Sequence, residues 1–226
     1  MSTSQDNLQI LKKTIKKICD DCGRDAQEIK LIAVSKTFPI SDILEILQTG
    51  HRAFGENKAQ EIRDKMAGLA DKDIQWHFIG SLQKNKVKYV AGKTTLIHSV
   101  ESEKIAQEID KRAAQENKCQ DILVEVNVSG EENKHGLKPS QVADFVKRLD
   151  AYKHIRIIGL MTMAPLTQDD DIIRDTFSGL RQLRDELGKQ NPNIKELSMG
   201  MTNDFKIAIE EGATFLRIGS AIFGSR

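Results

Sequence analysis

The chain alternates between short apolar runs and longer segments in which apolar residues recur at helical spacing. The first segment, over residues 4–22, predicts an amphipathic helix. Asp6 or Ser4 can cap its start, and Gly23 can end it. Its apolar positions are Leu8, Leu11, Ile15 and Ile18. The chain therefore begins, on this pattern, with a helix that buries one face.

From residue 29 onward, eight short apolar runs each precede a polar or amphipathic segment. We predict strands over residues 29–35, 52–55, 74–79, 95–99, 121–128, 155–161, 196–198 and 214–218. We predict helices over residues 40–48, with Ser41 as a cap, and over 58–69, 84–90, 102–116, 139–149, 170–187 and 203–211, and a short final segment over 221–226. The charged stretches 58–72 and 101–118 are interpreted as solvent-facing helix surfaces.

Continuous apolar strands separated by single helices are typical of parallel sheets that are buried on both faces. Eight such units in about 200 residues predict an α/β fold, a single (β/α)8 TIM-type barrel preceded by an N-terminal helix. An open doubly wound sheet is the alternative, although no GxGxxG motif follows the first strand. No linker, low-complexity tract or internal repeat interrupts the pattern, so we expect one domain over residues 1–226.

Composition removes some classes of partner. The 226 residues include 34 Lys and Arg against 33 Asp and Glu, a net charge of +1, and only 5% are aromatic. This balance gives no reason to expect nucleic acid or an acidic membrane as a partner. No apolar run reaches the length of a signal peptide core or a membrane span. We expect a soluble, cytoplasmic protein that acts as a monomer.

The cysteines do not form a disulfide framework, because their number is odd. Cys19 and Cys22 form a CxxC at the end of the first predicted helix, whereas Cys119 stands alone. The acidic neighbours Asp20 and Asp21 raise a thiol pKa, and no second ligand pair follows. Helix-end residues are the favoured interpretation, with metal or redox chemistry as the alternative.

The residues at the strand ends are polar where a barrel places its chemistry, at the C-terminal face. The first strand ends at Lys36, in LIAVSKT, and an ammonium is costly to bury there. Its side chain either extends into water over an apolar stem or is used chemically. The other strand ends carry mainly amides, hydroxyls, imidazoles and glycines.

The turns after the last two strands indicate a phosphate site. SMGMTND supplies Ser198, Gly200 and Thr202, and RIGS supplies Gly219 and Ser220. Barrels often bind phosphate with these two loops and with backbone N–H groups at a helix start. The alternative is that the glycines only form turns.

An amine and a phosphate site at one barrel mouth suggest a Schiff base with a phosphorylated carbonyl compound. The ligand is then either a sugar phosphate, as in Schiff-base aldolases, or pyridoxal 5′-phosphate (PLP). Arg217, beside the phosphate turn, could contact a pyridine nitrogen and discourage its protonation. Alternatively it forms a salt bridge inside the barrel mouth.

Seven motifs resemble those of the pyridoxal phosphate homeostasis protein family in order and spacing. They are AVSKT, FGENKAQE, WHFIGSLQKNK, VNVSGEENKHG, GLMTMAP, LSMGMTNDF and LRIGSAIFG, and they cover nearly the whole chain. The resemblance implies a barrel similar to the N-terminal domain of bacterial alanine racemases, without their second domain, and PLP as the cofactor.

The resemblance also implies roles for individual residues. Lys36 is expected to form the Schiff base, Arg217 to contact the ring and Asn57 to lie near the cofactor. Phosphate contacts are expected from Ser198, Gly219, Ser220 and Thr202, which stands where the family usually has serine. No metal ligand and no catalytic residue are implied.

The family is regarded as non-catalytic, so the resemblance implies a protein that binds PLP and regulates its supply, with PLP-dependent apoenzymes as clients. Racemisation needs a second acid–base group opposite the lysine, and Tyr89 and Tyr152 fall in or beside helices rather than at strand ends. A single-domain racemase or lyase is the alternative function, and an interaction module with structural PLP is another.

Overall fold

Eight parallel strands close into a barrel in sequence order, with β8 paired back to β1. The computed structural model describes residues 3–224. The strands are β1 Lys30–Val34, β2 Ala53–Glu56, β3 Gln75–Phe78, β4 Leu96–Val100, β5 Gln120–Glu125, β6 Ile155–Met161, β7 Glu196–Ser198 and β8 Phe215–Ile218. The closed order confirms the predicted TIM-type barrel and excludes the open sheet.

Helices surround the barrel, and an N-terminal helix precedes it as predicted. They are α1 Ser4–Cys22, α2 Ile40–Leu47, α3 Ala59–Gly68, α4 Glu103–Gln115, α5 Pro139–Leu149, α6 Asp170–Gly188, α7 Phe205–Glu210 and α8 Ser220–Phe223. Two 3-10 helices lie at Ala26–Glu28 and Lys84–Tyr89. The second replaces the ordinary helix predicted over 84–90. Helix α1 packs against α2, α7 and α8.

Some predicted boundaries were wrong for local reasons. Thr3, rather than Ser4 or Asp6, caps α1, and Asp6 completes the capping box from the first turn. Helix α2 begins after Pro39, and its start has no side-chain cap. Strand β5 ends at Glu125 rather than at residue 128, because the chain then pairs with Leu137 of its own loop. Residues 225 and 226 of the predicted final segment lie outside the described range.

Two apolar layers hold the barrel together, one on each face of the sheet. Outward-facing strand residues such as Phe54 and Phe78 pack beneath the helices. Inside the barrel, a separate cluster is formed by Ile32, Leu96, Leu123, Met161 and Phe215. This interior cluster is typical of a TIM barrel, whose centre is filled by layers of side chains. The polar residues described below lie toward the C-terminal ends of the same strands.

Cys19, Cys22 and Cys119 are all free thiols, and Cys19 lies on the buried face of α1, packed in the core. Among residues 3–224, no group of three or more His, Cys, Asp and Glu side chains is arranged to hold a metal ion. These residues also contain no helix long and apolar enough to cross a membrane.

Candidate functional site

A cavity of about 670 Å³ opens at the C-terminal ends of the strands. It brings together six of the seven residues that the sequence singled out: Lys36, Asn57, Thr202, Arg217, Gly219 and Ser220. Ser198 is the seventh, and it is fully buried below the cavity rather than on its wall. The barrel mouth therefore collects an amine, a guanidinium, an amide and two hydroxyls.

Lys36 lies two residues beyond the end of β1 and is exposed at the cavity wall. Val34, the last residue of the buried strand, and Lys36, in the turn that follows, both line the cavity. Ser35, between them, points away and is fully buried. The lysine amine is therefore held at the mouth by a strand whose position the barrel core fixes.

Thr202 and Ser220 lie together on the neighbouring part of the wall. The Ser220 hydroxyl donates a hydrogen bond of 3.0 Å to the hydroxyl of Thr202. At Gly219, an added Cβ would lie 3.2 Å from the Val34 carbonyl oxygen, so a side chain would crowd the backbone of β1. Gly200, in the turn that leads to Thr202, has a φ of +95°, which favours glycine. The two predicted glycine turns thus approach each other closely.

Asn57 follows β2 and completes the wall beside Lys36. Its Oδ1 atom is buried and has no hydrogen-bond partner among residues 3–224. A buried amide oxygen without a partner costs free energy, and such atoms in native proteins call for an explanation. A donor on a ligand in the cavity would satisfy it.

Arg217 is buried at the base of the cavity. Its Nη1 donates to Ser198 Oγ at 2.6 Å, and its Nη2 donates to the Thr162 carbonyl oxygen at 3.0 Å. Burial lowers its pKa to about 10, while Glu125 and Asp204 oppose the shift. The guanidinium therefore stays charged at neutral pH, and these contacts fix its plane.

A chain of buried hydrogen bonds continues from Arg217 into the barrel. Ser198 Oγ lies 2.8 Å from His98 Nδ1, and His98 Nε2 lies 3.1 Å from His77 Nδ1. Arginine can only donate, so Ser198 accepts from it and donates its own hydrogen to His98. His98 then carries its proton on Nε2 and donates to His77. Ser198 therefore holds Arg217 and His98 in place.

Both histidines in this chain are neutral. Burial lowers the pKa of His77 to about 3, with smaller contributions from Lys30 and His51. Burial also lowers the pKa of His98 well below its ordinary value, helped by His77 and Arg217. Neutral imidazoles agree with the hydrogen bonds, because each ring accepts at Nδ1 and a protonated imidazole has no acceptor. In the hydrogen-bonded chain from Arg217 to His77, Arg217 is therefore the charged group.

Glu125 lies at the end of β5, opposite β1 in the barrel order, and also lines the cavity. Burial raises its pKa to about 7, and the nearby Glu101 adds to the shift, while Arg217 and His135 oppose it. Glu125 was not predicted as a site residue, because the apolar run predicted a strand that extends to residue 128. The alternation from inward-facing Leu123 to Glu125 was the signal that could have identified it.

Tyr89 and Tyr152 do not line the cavity. Tyr89 ends a 3-10 helix, and Tyr152 contacts Glu103 on the outer surface. Within residues 3–224, the described chain places neither tyrosine opposite Lys36.

The fold and the cavity define a class, the single barrel of the alanine racemase N-terminal domain, and the model of that family matches residues 7–226. Among curated proteins, the pyridoxal phosphate homeostasis protein of Aquifex aeolicus is 44% identical over 98% of this chain and 97% of its own length. The chain belongs to the pyridoxal phosphate homeostasis protein family, as its motifs indicated.

Solved structures agree with this membership. A protein from Bifidobacterium adolescentis described as unknown superposes with a TM-score of 0.92, at 34% identity over 97% of this chain and 94% of its own. PipY of Synechococcus elongatus, solved with PLP bound, superposes with a TM-score of 0.82, at 32% identity over 93% of this chain and 99% of its own. Both similarities extend over nearly the entire barrel.

Proposed function

We propose that this protein binds PLP through Lys36 and regulates the cellular supply of PLP and, through it, amino acid pools, without catalytic turnover. One observation carries the proposal: the amine of Lys36, the charged guanidinium of Arg217 and the hydroxyls of Thr202 and Ser220 line the same cavity. Relatives named for PLP homeostasis and the PLP-bound PipY structure support the choice of PLP over a sugar phosphate.

The residues of the cavity fit PLP in their chemistry. The aldehyde of PLP condenses with an amine to a Schiff base, with release of water, and its ring withdraws electrons. Thr202, Ser220 and the close turn at Gly219 offer hydroxyls and backbone to a phosphate. Asn57 offers its unpartnered Oδ1 to a hydrogen-bond donor. A sugar phosphate has no ring nitrogen for the guanidinium of Arg217 to contact.

Arg217 would bind the pyridine nitrogen and keep it unprotonated. An arginine that stays charged cannot accept a proton from the ring, so it weakens the ring as an electron sink. This favours storage of PLP over reaction. We propose that the Ser198 hydroxyl, which the family resemblance implied for phosphate, holds Arg217 in its plane.

Glu125 favours a second candidate function, a weak racemase or lyase activity. It lines the cavity on the strand opposite Lys36, and a carboxyl group with a pKa of about 7 can both accept and donate protons. Such an activity predicts deuterium exchange at the Cα of an amino acid incubated with the purified protein. The absence of exchange across a broad amino acid panel would exclude it.

Delivery to PLP-dependent apoenzymes, action as a monomer and a cytoplasmic location complete the proposal. The free cysteines agree with a reducing compartment. Transfer would be measured by reactivation of an apoenzyme in the presence of a trap for free PLP. Reactivation that the trap abolishes would contradict direct delivery, and sedimentation would measure the oligomeric state.

Absorbance tests the assignment of Lys36. The wild-type protein with PLP should show a Schiff-base band near the visible edge, and Lys36→Ala should lose it. Lys111→Ala is a matched control, because Lys111 is exposed on the second half of α4, away from the cavity. A band that persists in Lys36→Ala, after purification without phosphate, would contradict the assignment.

A further inference from the structure

Lys65 lies on a helix that we interpreted as solvent-facing, yet its side chain is only 7% exposed. The ammonium donates three hydrogen bonds, to the Ser35 carbonyl oxygen at 2.8 Å, to Glu56 Oε1 at 2.7 Å and to Glu61 Oε1 at 2.8 Å. An ammonium has three hydrogens, so its donor capacity is filled. A buried lysine with complete hydrogen bonding at this place requires a structural reason.

The same three side chains hold both neighbours of Lys36 in the sequence. Ser35 is bound twice, through its carbonyl oxygen by Lys65 and through its hydroxyl, which donates to Glu56 Oε1 at 2.6 Å. On the other side, the Thr37 backbone N–H donates to Glu61 Oε1 at 2.5 Å. Lys36 therefore projects from a short segment that is held at one end by the Lys65 ammonium and at the other by Glu61, which the same ammonium binds. We call Lys65, Glu56 and Glu61 the Lys65 cluster.

The segment that the cluster holds is strained. Thr37 has a φ of +66°, a left-handed conformation that is a clear outlier for a β-branched residue. Such a conformation persists only where surrounding contacts enforce it, and it often occurs at functional sites. The turn is completed by a hydrogen bond of 3.0 Å from the Phe38 N–H to the Ser35 carbonyl oxygen. The bond from Thr37 to Glu61 is the contact that fixes the strained peptide.

The ionisation of the carboxylates in the cluster agrees with their hydrogen bonds. Burial would raise the pKa of Glu61, but hydrogen bonds from Lys65 and from the Thr37 backbone hold it below its usual value. Glu61 is therefore ionised, as a strong acceptor for a backbone N–H should be. Burial raises the pKa of Glu56 in spite of Lys65 and Ser35, and its Oε2 atom has no hydrogen-bond partner within the described part of the chain.

We infer that the Lys65 cluster is a positioning device that fixes the Lys36 turn so that the amine is aimed at the aldehyde of PLP. The inference rests on the proposed function. None of the three side chains lines the cavity, so they act through the backbone on either side of Lys36 and do not themselves react. A small displacement of a reacting group can slow a reaction by about a hundredfold, so rigid attachment of this turn matters.

Glu61→Ala and Glu61→Gln separate positioning from general stability. Glu61 is partly exposed, so both variants should fold, and the glutamine keeps an acceptor for the Thr37 N–H. Gln60→Ala is the control, because Gln60 is exposed on the same helix. The first readout is amide hydrogen exchange of Thr37 in protein without PLP. It should accelerate by about ten- to a hundredfold in Glu61→Ala, the effect of losing one charge-assisted hydrogen bond.

The second readout is the rate of appearance of the Schiff-base absorbance after PLP is added. Glu61→Ala should slow it by about ten- to a hundredfold, and Glu61→Gln should restore most of the rate. A rate within about twofold of wild type in Glu61→Ala, or an equal loss in Gln60→Ala, would overturn the inference. If the proposed function fails, no variant forms an adduct at Lys36. The exchange of Thr37 still shows then whether Glu61 holds the turn.

Lys65→Met supplies a second, stronger perturbation. It leaves Glu56 and Glu61 facing each other without a cation, so the melting temperature should fall, and Glu56→Gln in the same chain should recover part of the loss. A Lys65→Met protein with unchanged melting temperature and unchanged exchange at Thr37 would also overturn the inference.

Discussion

Replacing Ser198 by alanine separates a structural role for this hydroxyl from a role in phosphate binding. The hydroxyl accepts from Arg217 Nη1 at 2.6 Å and lies 2.8 Å from His98 Nδ1. It is fully buried and does not line the cavity. Ser198→Ala therefore leaves one donor on a buried arginine and one acceptor on a buried histidine without a partner.

The expected magnitude follows from these two bonds. A hydrogen bond to a charged group contributes about 1.5–3 kcal/mol and a neutral one about 1 kcal/mol. We expect Ser198→Ala to lower the free energy of unfolding by about 2–4 kcal/mol in protein without PLP. Ser220→Ala is the matched control, because the Ser220 hydroxyl is exposed and, among the residues that the structure describes, bonds only to Thr202. Its loss should cost about 0.5 kcal/mol or less.

The assay is urea unfolding of both variants, with PLP affinity measured in parallel by absorbance. Ser220→Ala should weaken PLP binding with little change in stability. In Ser198→Ala, the main effect should be a lower free energy of unfolding. The absorbance of its bound cofactor should also change, because Arg217 is no longer held. A stable Ser198→Ala protein with reduced PLP affinity would refute this reasoning and restore Ser198 as a phosphate ligand.

Three further predictions concern the interior and the cavity. His77 has a folded pKa of about 3 against an ordinary 6.5, so its contribution to stability is present above pH 6.5 and is lost as pH falls toward 3. Between pH 7 and pH 5 this group lowers the free energy of unfolding by about 2 kcal/mol. The free energy of unfolding of His77→Gln should therefore decrease over that pH range by about 2 kcal/mol less than that of the wild type. An equal decrease in both proteins would contradict a neutral His77. Arg217→Met removes the charge that opposes the raised pKa of Glu125. A pH titration of the bound cofactor's absorbance should shift in that variant, and an identical titration would argue against ring contact. Gly80→Ala would push a Cβ into the carbonyl of Asn57, so unfolding and PLP titration should show about 1–3 kcal/mol of lost stability and weaker binding; wild-type values for both would show that the wall at Asn57 is not rigid.

The barrel could be predicted from sequence because strands buried on both faces read as continuous apolar runs, and their count and order leave few topologies. The same logic located Lys36, two residues beyond the end of β1, and Arg217, the next-to-last residue of β8. Strand ends themselves are less certain, because the residues that close a strand depend on local loop pairing. That is why Glu125 was missed when its strand was extended to residue 128.

The depth of a side chain could not be predicted from its sequence neighbours. Ser198 and Thr202 share one glycine turn, yet the end of β7 directs Ser198 into the barrel and leaves Thr202 on the cavity wall. Lys65 lies among charged residues on a helix, and only the tertiary structure places its ammonium against Ser35 and Glu56. Contacts between residues far apart in the chain decide these cases.

The most direct test of the central claim is borohydride reduction of the PLP-loaded protein followed by mass mapping of the modified residue. Reduction fixes a Schiff base as a stable amine on the lysine that formed it. We predict a single modified peptide, with the label on Lys36. A label spread over exposed lysines, a label on a different lysine, or no label in a protein that retains PLP would contradict the claim.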